Sequence, residues 1–577
     1  MQITAAPKSA GNKKALSDTL PNPRQDRRLL AHVPDESGER SNLDRRGGSG
    51  TDQADYEEYI KKSKVGIRYR ADIRVRAKCR LSYGRKASLS VQAVDISSTG
   101  ILLRLSNEAQ LDTLCKAEVI TLKFRIKAGA MPEGYEMRVK ISAKVVRAFT
   151  DDAGTYFCGL EFEQELGRYA VEHKDKHALA ASSLFLFFIV GFILLMRAES
   201  VVYFKFNWML YSYSILTAAF LLSRYLFGSF YRSTPVNMDF TPGVTIIVPC
   251  FNEEEWIQRT IVSCVNQDYP VDQLEVIVVD DCSTDRSVEK IREIIDRLYS
   301  EGARFKTRER VKYIVQPKNM GKRHALAQGV LEAKHDLVVF VDSDSFVDPY
   351  AIRNLVMPFQ DPKMGGVSGR TDVANTFTNV LTRMQAVRYY IAFRIMKAAE
   401  SIFDMVTCLS GPLSCYRKEC VMEHMDAWLN QKFLGRTATF GDDRSMTNFI
   451  LQKYRTCYQD TAVCATIVPN RYRVFLKQQM RWKRSWLRES IIAGSFMWKK
   501  EPFGAVLFYI GLLIPVAAPV VVVYNMLYVP FVHRVFPTTF LLGMLMMALM
   551  MSVVQLFLKK SSTWIFGMLF CIFCESV

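Results

Sequence analysis

Four kinds of hydrophobic pattern follow one another along the chain. Residues 1–60 carry Gly, Ser, Asp, Arg and Pro without a sustained apolar period, which predicts a disordered, cytosolic tail. The tail lacks the charged start, apolar core and small-residue site of a cleavable signal peptide, so none is expected. Residues 61–170 change to short alternating runs: KASLSVQAVDIS, GILLRLS, AEVITLKFRI, EMRVKISAKVVRAF and TYFCGLEF, separated by turn residues. That cadence predicts a small antiparallel β-barrel of about six strands. Across residues 240–500 the β-branched runs VTIIVPC, LEVIVVDD, VKYIVQP and DLVVFVDSD alternate with helical segments such as SVEKIREIIDRLY. Strands of that kind belong to a parallel sheet buried on both faces, in a Rossmann-like α/β domain.

Long apolar runs flank the α/β segment. Ala178–Met196 holds no charge over 19 residues, enough to cross about 30 Å of hydrocarbon. Phe206–Leu222 follows after a short connection, so 178–225 reads as a hairpin of two transmembrane helices. Gly504–Tyr524 and Phe540–Leu558 are two further spans within a C-terminal membrane segment, 504–577. Trp564–Val577, with 14 residues, is too short to span; it reads as an interfacial segment or as the start of a span that continues beyond this chain. Lys174, Lys176, His177, Arg224, Arg232, Lys499, Lys500, Lys559 and Lys560 border the spans, which puts their outer flanks in the cytosol.

Composition narrows the possibilities. The chain has 577 residues, 49% of them hydrophobic, with 36 Phe and 25 Tyr, which excludes a wholly disordered protein. Its 13 Cys are dilute and show no metal-ligand spacing of the CxxC…CxxC kind, which excludes a small disulfide scaffold and predicts reduced thiols in a cytosolic domain. The net charge of +18 suits nucleic acid, a membrane face or an anionic substrate. With no nucleic-acid module in the sequence and several apolar runs, the lipid bilayer and an anionic ligand are expected, and nucleic acid is not.

Candidate chemistry sits at a few points. Arg70 and Arg74 form an RxxxR, and Asp95, Ser97 and Gly100 a DxSxxG 21 residues further on. Guanidinium forks bind phosphate bidentately, Asp and Ser can fix a base edge, and Gly permits a tight turn. In the α/β segment, Asp280 and Asp281 end the second strand, where a carboxylate can accept from a nucleobase or ribose. Lys322 follows Gly321 in a turn suited to a phosphate. Asp342 and Asp344 end the fourth strand as a DxD, able to aim at one hard cation, Mg2+ or Mn2+. Asp443 in GDDR is placed to act as a general base on a sugar hydroxyl. Gln478, Arg481 and Trp482 form a QxxRW, which can clamp a pyrophosphate and stack on a sugar ring; its helix is amphipathic and suits a membrane surface.

The RxxxR and DxSxxG pair on a barrel pattern resembles the PilZ domain. That resemblance implies that Arg70, Arg74, Asp95, Ser97 and Gly100 bind cyclic di-GMP as a regulator. The order DD, GK, DxD, SGPLSCYR (Ser410–Arg417), GDDR and QQMRW resembles the processive membrane glycosyltransferases of family two, on their hyaluronan and chitin branch. It implies a GT-A catalytic domain in a multi-pass bacterial inner-membrane protein, with the catalytic and PilZ domains cytosolic. By that resemblance Asp280 and Asp281 bind the nucleoside, Asp342 and Asp344 the metal and diphosphate, and Gln478, Arg481 and Trp482 the diphosphate and acceptor. Lys322 meets a donor phosphate and Asp443 is the base. The implied activity is inverting transfer from a nucleotide-sugar donor to a growing polysaccharide acceptor, with export, for which periplasmic export partners are a candidate. Hyaluronan-type relatives continue past the last apolar run, so further chain is expected beyond Val577. Two other readings fit the same residues: a catalytically degenerate cyclic di-GMP receptor, and an alginate-type mannuronan synthase using GDP-mannuronate.

Overall fold

The computed structural model describes residues 69–81, 86–97, 99–126, 137–150, 154–164, 208–237, 239–301, 305–534 and 565–574, with isolated residues among 166–191 and 536–552. The chain divides into two compact units, Met1–Pro132 with Arg138–Leu166, and Glu133–Met137 with Gly167–Val577. The expected N-terminal tail and the spans Ala178–Met196 and Phe540–Leu558 lie outside the described residues, apart from single positions.

The first unit is a closed barrel of six strands: β1 (Tyr69–Arg80), β2 (Lys86–Ile96), β3 (Gly100–Leu105), β4 (Val119–Ile126), β5 (Met137–Thr150) and β6 (Tyr156–Phe162). They run in the order β1-β2-β3-β6-β5-β4. Period-two alternation builds it. On β1, Ile73, Val75, Ala77 and Cys79 point into the core, while Arg74, Arg76, Lys78 and Arg80 stay exposed. Helix α1 (Glu108–Cys115) packs on β3 and β6 and buries Leu114, which explains why β3 is apolar on both faces. The β2–β3 turn closes tightly: Ser97 N–H donates to the Gly100 carbonyl at 2.8 Å, and Gly100 N–H to Ser97 Oγ at 3.1 Å.

The second unit begins with α2 (Trp208–Phe230) and holds an eight-stranded sheet. Its strands are β7 (Val244–Cys250), β8 (Leu274–Asp280), β9 (Val311–Val315), β10 (Leu337–Phe340), β11 (Ser345–Val347), β12 (Met364–Val373), β13 (Ser414–Arg417) and β16 (Arg455–Thr466). Strands β14 (Lys432–Phe433) and β15 (Arg436–Thr437) form a separate small hairpin. The sheet order is β11-β16-β12-β13-β10-β7-β8-β9. The four β-branched strands pair in parallel as expected, and β7 and β8 are buried at every position. The wholly parallel expectation is corrected on the other flank. There β13 runs antiparallel to both β10 and β12, and β11 antiparallel to β16, so the sheet is mixed.

Helices α3 (Ile257–Val265), α4 (Ser287–Glu301) and α5 (Lys322–Glu332) connect the parallel strands. They are followed by α6 (Val380–Ile391), α7 (Lys418–Leu429), α8 (Asp442–Lys453) and α9 (Tyr472–Gly494). The last helices are α10 (Pro502–His533) and α11 (Ile565–Cys574). Among the described residues α10 alone is long and apolar enough to cross a membrane, with 32 residues and little of its surface buried in the protein. It runs past the expected Tyr524 through a π-helical turn, Tyr524–Tyr528. Helix α2 lies against it: Tyr213 Oη donates to the Ile514 carbonyl at 3.3 Å, and Gly511 leaves room for the Phe220 ring. The short C-terminal run is a helix, α11, that docks on α6 and α9 through Phe570, Met384 and Phe475.

A Cβ at Gly100 would stand 2.6 Å from the Leu160 carbonyl oxygen on β6, backbone that cannot swing aside. Gly100→Val is therefore expected to cost the barrel about 1–3 kcal/mol. Hydrogen exchange of β3 and β6 amides in the full chain should reveal the loss. Unchanged protection there would show that the strand contact tolerates a side chain.

Candidate active site

Loops at the carboxyl ends of β7, β8 and β10 form one face, and hydrogen bonds stitch them together. Asn252 sits in the left-handed region at φ 55°; its side chain accepts from Thr284 N–H at 2.8 Å, and its own N–H donates to Ser283 Oγ at 2.9 Å. Asp280 is fully buried. Its two oxygens accept from Ser283 N–H at 2.9 Å and Ser283 Oγ at 2.5 Å. Asp281, also buried, accepts from Met320 N–H and Gly321 N–H, each at 2.8 Å. The structure thus places both carboxylates under the face, holding loops. Asp281 in particular fixes the turn at Gly321, whose φ of 91° favours glycine, and starts α5 there.

Lys322, the first residue of α5, reaches across to Asp342 Oδ1 at 2.5 Å. Its side chain remains 41% exposed. Burial of its tip opposes its charge, but Asp342, Asp442 and Asp443 outweigh that and hold its pKa above the ordinary lysine range.

Asp342 and Asp344 share a tight turn after β10, and Thr260 Oγ1 on α3 donates to the carbonyl of the intervening Ser343 at 2.7 Å. Burial, reinforced by Asp342, pushes Asp344 up to about 6. Glu253, from the β7 loop, is pushed up to about 7 by burial and then by Asp344 and Asp342. Three carboxylates therefore repel one another here. Gly411 adds a cradle: a Cβ there would come within 3.1 Å of both Asp342 oxygens and 3.2 Å of Lys322 Nζ. Two hard oxygen donors at i and i+2, crowded and short of positive charge, fit a divalent cation whose remaining ligands come from phosphate and water. No group of three side chains placed to hold a metal by themselves occurs among the described residues.

Asp443 stands in the first turn of α8, capped by Gly441 at φ 83°. Its Oδ1 accepts from Arg444 N–H at 2.8 Å and its Oδ2 from the Cys408 thiol at 3.4 Å. Burial pushes that thiol up to about 11, so it remains a neutral donor. The neighbouring Asp442 is committed elsewhere, to Arg323 Nε at 2.8 Å. Arg323 also donates to the Trp428 carbonyl and to Gln431, and Gln431 in turn donates to Glu489 of α9 at 3.1 Å. Glu489 accepts from Asn448 of α8 at 3.0 Å and from Arg488 at 2.7 Å. This network seats α9 on the start of α8, so close that a Cβ at Gly441 would overlap Ser485.

The QxxRW residues lie on α9. Trp482 is 37% exposed, with the Arg388 guanidinium 5.3 Å from its ring centre and the Tyr389 ring at 6.5 Å. Arg388 also donates to Gln479. Burial raises the pKa of Tyr389; Arg388 opposes the rise, and Asp344 and Asp342 add to it. Arg481 is exposed, and Gln478 Oε1 is buried without a hydrogen-bond partner among the described residues. Lys322, Asp342, Asp344 and Asp443 are thus gathered at one place, with Trp482 at its edge.

In the barrel, Arg70 pairs in register with Asp95 across β1 and β2, and Arg74 with Gln92. A bulge lies between Arg70 and Ile73. Arg74 is exposed on the outer surface, whereas Asp95, Ser97 and Gly100 are buried.

Residues 245–424 match the family model for Glycosyl transferase family 2, and residues 337–574 that for Glycosyl transferase family group 2. An N-acetylglucosaminyltransferase of Rhizobium meliloti is 33% identical over 299 residues, 50% of this chain and 68% of that protein. The chain belongs to glycosyltransferase family 2. A hyaluronan synthase of Streptococcus pyogenes is 36% identical over 252 residues, 43% of this chain. The match spans only 58% of that synthase's length. Among solved structures, a mannosyltransferase from Pyrobaculum calidifontis in complex with GDP-Man and Mn2+ aligns at 21% identity and a TM-score of 0.44, over 63% of this chain and 98% of its own.

Several contributors to this glycosyltransferase site carried no signal in sequence. Cys408 and Arg323 carry no motif role, and only their contacts single them out. Gly411 lies inside SGPLSCYR, but its closeness to Asp342 is a tertiary fact. Asp281→Asn keeps the shape of the loop anchor but offers an N–H2 group to one backbone N–H, leaving that donor unpaired. Hydrogen bonds to a charged acceptor contribute about 1.5–3 kcal/mol each. Donor binding should therefore weaken by roughly tenfold to a hundredfold, measured by titrating the nucleotide sugar. An unchanged affinity would mean that the Gly321 turn holds without this anchor.

Proposed function

We propose that the protein is a membrane polysaccharide synthase that transfers sugar from a nucleotide-sugar donor to a growing β-linked polymer. The observation that carries this reading is the meeting of Asp342, Asp344, Lys322 and Asp443 on one face, beneath the helix that bears Trp482. Asp443 faces the acceptor and removes a proton from its hydroxyl. The resulting oxygen attacks the anomeric carbon, a new C–O bond forms with inversion, and the bond to the nucleoside diphosphate breaks. Lys322 and Arg481 receive the charge that develops on the leaving diphosphate. Asp342 and Asp344 would hold Mg2+ or Mn2+, which would supply further charge neutralisation for the leaving group. Asp280 and Asp281 shape the nucleoside pocket by fixing its loops, and Trp482 stacks on an acceptor sugar.

The apolar helix α10 and its neighbour α2 suit insertion in a bilayer, and export of the polymer through the membrane part would explain apolar helices on both sides of the catalytic domain. Incubating membranes with labelled UDP-GlcNAc, with UDP-GlcNAc plus UDP-GlcA, and with GDP-mannuronate tests the reading and distinguishes hyaluronan-, chitin- and alginate-type products. No incorporation from any donor would favour a degenerate receptor instead. Asp443→Asn should leave donor binding intact while lowering transfer by about 10²–10⁴-fold. A variant that kept half the wild-type rate would remove Asp443 from its role.

The barrel is proposed as a PilZ-type receptor through which cyclic di-GMP controls transfer. Arg74 is open to solvent on β1, and the Arg70–Asp95 register brings the two motifs together. One guanidinium–phosphate fork contributes about 1.5–3 kcal/mol, so Arg74→Ala should weaken cyclic di-GMP binding by roughly tenfold to more than a hundredfold. Titration calorimetry on the full chain reads this directly. Wild-type protein that binds no cyclic di-GMP at micromolar concentration would reduce the barrel to a structural module and leave the catalytic reading standing.

A further inference from the structure

Behind the DxD turn lies a second cation that no motif marks. The helix running from Val380 to Ser401 is α-helical to Ile391, π-helical over Ala392–Lys397, then α-helical again. A π turn admits an extra residue and re-aims the side chain at its end, and such turns occur frequently at functional sites. Here it turns Lys397 inward, to 8% exposure. Its Nζ donates to Ser368 Oγ on β12 at 2.9 Å and to Ser410 Oγ at 2.5 Å, and lies 4.1 Å from the centre of the Phe393 ring.

Ser410 belongs to the loop that connects the two halves of the site. One residue on, Gly411 leaves the space against Asp342 and Lys322. One residue back, Leu409 N–H donates to Thr447 Oγ1 at 3.0 Å, and that hydroxyl donates to the Asp443 carbonyl at 2.6 Å. Two residues back, Cys408 donates to the Asp443 carboxylate. At its start, Thr407 N–H donates to Glu400 at 3.0 Å. The loop is thus tied to Asp443 at one end and lies against Asp342 at the other, and Lys397 grips its middle.

We propose that Lys397 is a positioning residue for sugar transfer: its ammonium group holds the Ser410–Gly411 loop in register between Asp443 and Asp342, and the site works only while that group is charged. A neutral amine still reaches the two serines but loses the charge-assisted part of both bonds and the attraction to the Phe393 ring. The groups facing it are few. Cys408, Asp443 and Glu400 favour its charge, Arg444 opposes it, and Ser368, Ser410 and Phe393 complete the shell. Burial dominates and pushes Lys397 down to about 8. Its charge is therefore present at neutral pH and is lost as pH rises through that value.

The inference rests on the transfer reading above, so the test has one arm that needs no turnover. In the full-length membrane protein, hydrogen-exchange protection of the amides at 407–411, corrected for intrinsic rate, is expected to fall by about tenfold or more from about pH 7 to about pH 9. Lys397→Arg, charged throughout that range, should keep protection flat, and Lys397→Met should be poorly protected at both ends. In the activity arm, wild-type kcat should fall above about pH 8 with little change in donor KM. Lys397→Met should lose about tenfold or more in kcat at neutral pH, and Lys397→Arg should recover most of that loss without the alkaline fall. Protection that ignores pH in the wild type, or an alkaline fall that persists in Lys397→Arg, would overturn the proposal. If Lys397→Met does not fold, the wild type and Lys397→Arg still decide it. The predicted exchange pattern in a protein that transfers no sugar would refute the transfer reading and leave the loop anchor standing.

Discussion

The candidate site depends on one buried carboxylate, Asp281, and the two backbone amides it holds. Asp281 takes two backbone N–H groups from the loop forty residues downstream, and with them it sets the left-handed turn at Gly321. A buried charge without partners is costly, so the loop and the aspartate secure each other. Where Gly321 stands, α5 begins, and its first two residues point in different directions. Lys322 goes up to Asp342 and faces Asp443. Arg323 goes down to Asp442, Trp428 and Gln431, and through Gln431 to Glu489 of α9. One anchor thus carries through to Lys322, the helix that bears Asp443 and the helix that bears Trp482.

The parts legible in sequence were those with strong local signals. Strands β7 to β10 are β-branched runs bounded by turn residues, and VTIIVPC coincides with β7 from Val244 to Cys250. The barrel strands declared themselves by alternation, because one face meets a core and the other water. The mixed flank of the sheet was illegible for the converse reason. Strand β12 reads MGGVSGRTDV, glycine-rich and partly polar, and β16 reads RTCYQDTAVCAT, rich in polar residues, yet most residues in both are buried. Their polar groups are paired inside the protein: Arg370 with Asp372, Gln459 with Thr234 and Thr461, Thr466 with Ser345 and Asp344. Tertiary pairing of this kind leaves no trace in hydropathy.

The candidate site divides in the same way. Motif residues were visible because their types and spacing are chemically unusual, as with two aspartates just past a strand. What each carboxylate does was not visible. Asp280 and Asp281 are adjacent in sequence and of the same residue type, but one braces its own loop and the other a distant one. Asp442 and Asp443 differ more sharply. The first is held in an ion pair, while the second accepts from a thiol and a neighbouring amide and leaves acceptor capacity over. The helix geometry at Gly441 makes that choice, since consecutive residues in a first turn point about 100° apart.

Charge balance then explains why the proposed chemistry needs both lysines and an added cation. Burial and the neighbouring carboxylates already raise the proton affinity of Glu253 and Asp344, and Lys322 is paired with Asp342. A nucleoside diphosphate brings further negative charge to the same corner. Lys322 cannot serve the diphosphate and relieve Asp342 at once, and Arg323 is committed to Asp442. On the proposed reading, Lys322 turns from Asp342 toward the donor phosphates, and a divalent cation held by Asp342 and Asp344 would offset the charge left behind. The loop at Ser410–Gly411 must hold its place during that exchange, because it borders Asp342 and Lys322 on one side and Asp443 on the other. A buried cation at Lys397, separated from the diphosphate by that loop, can hold it without competing for the phosphates.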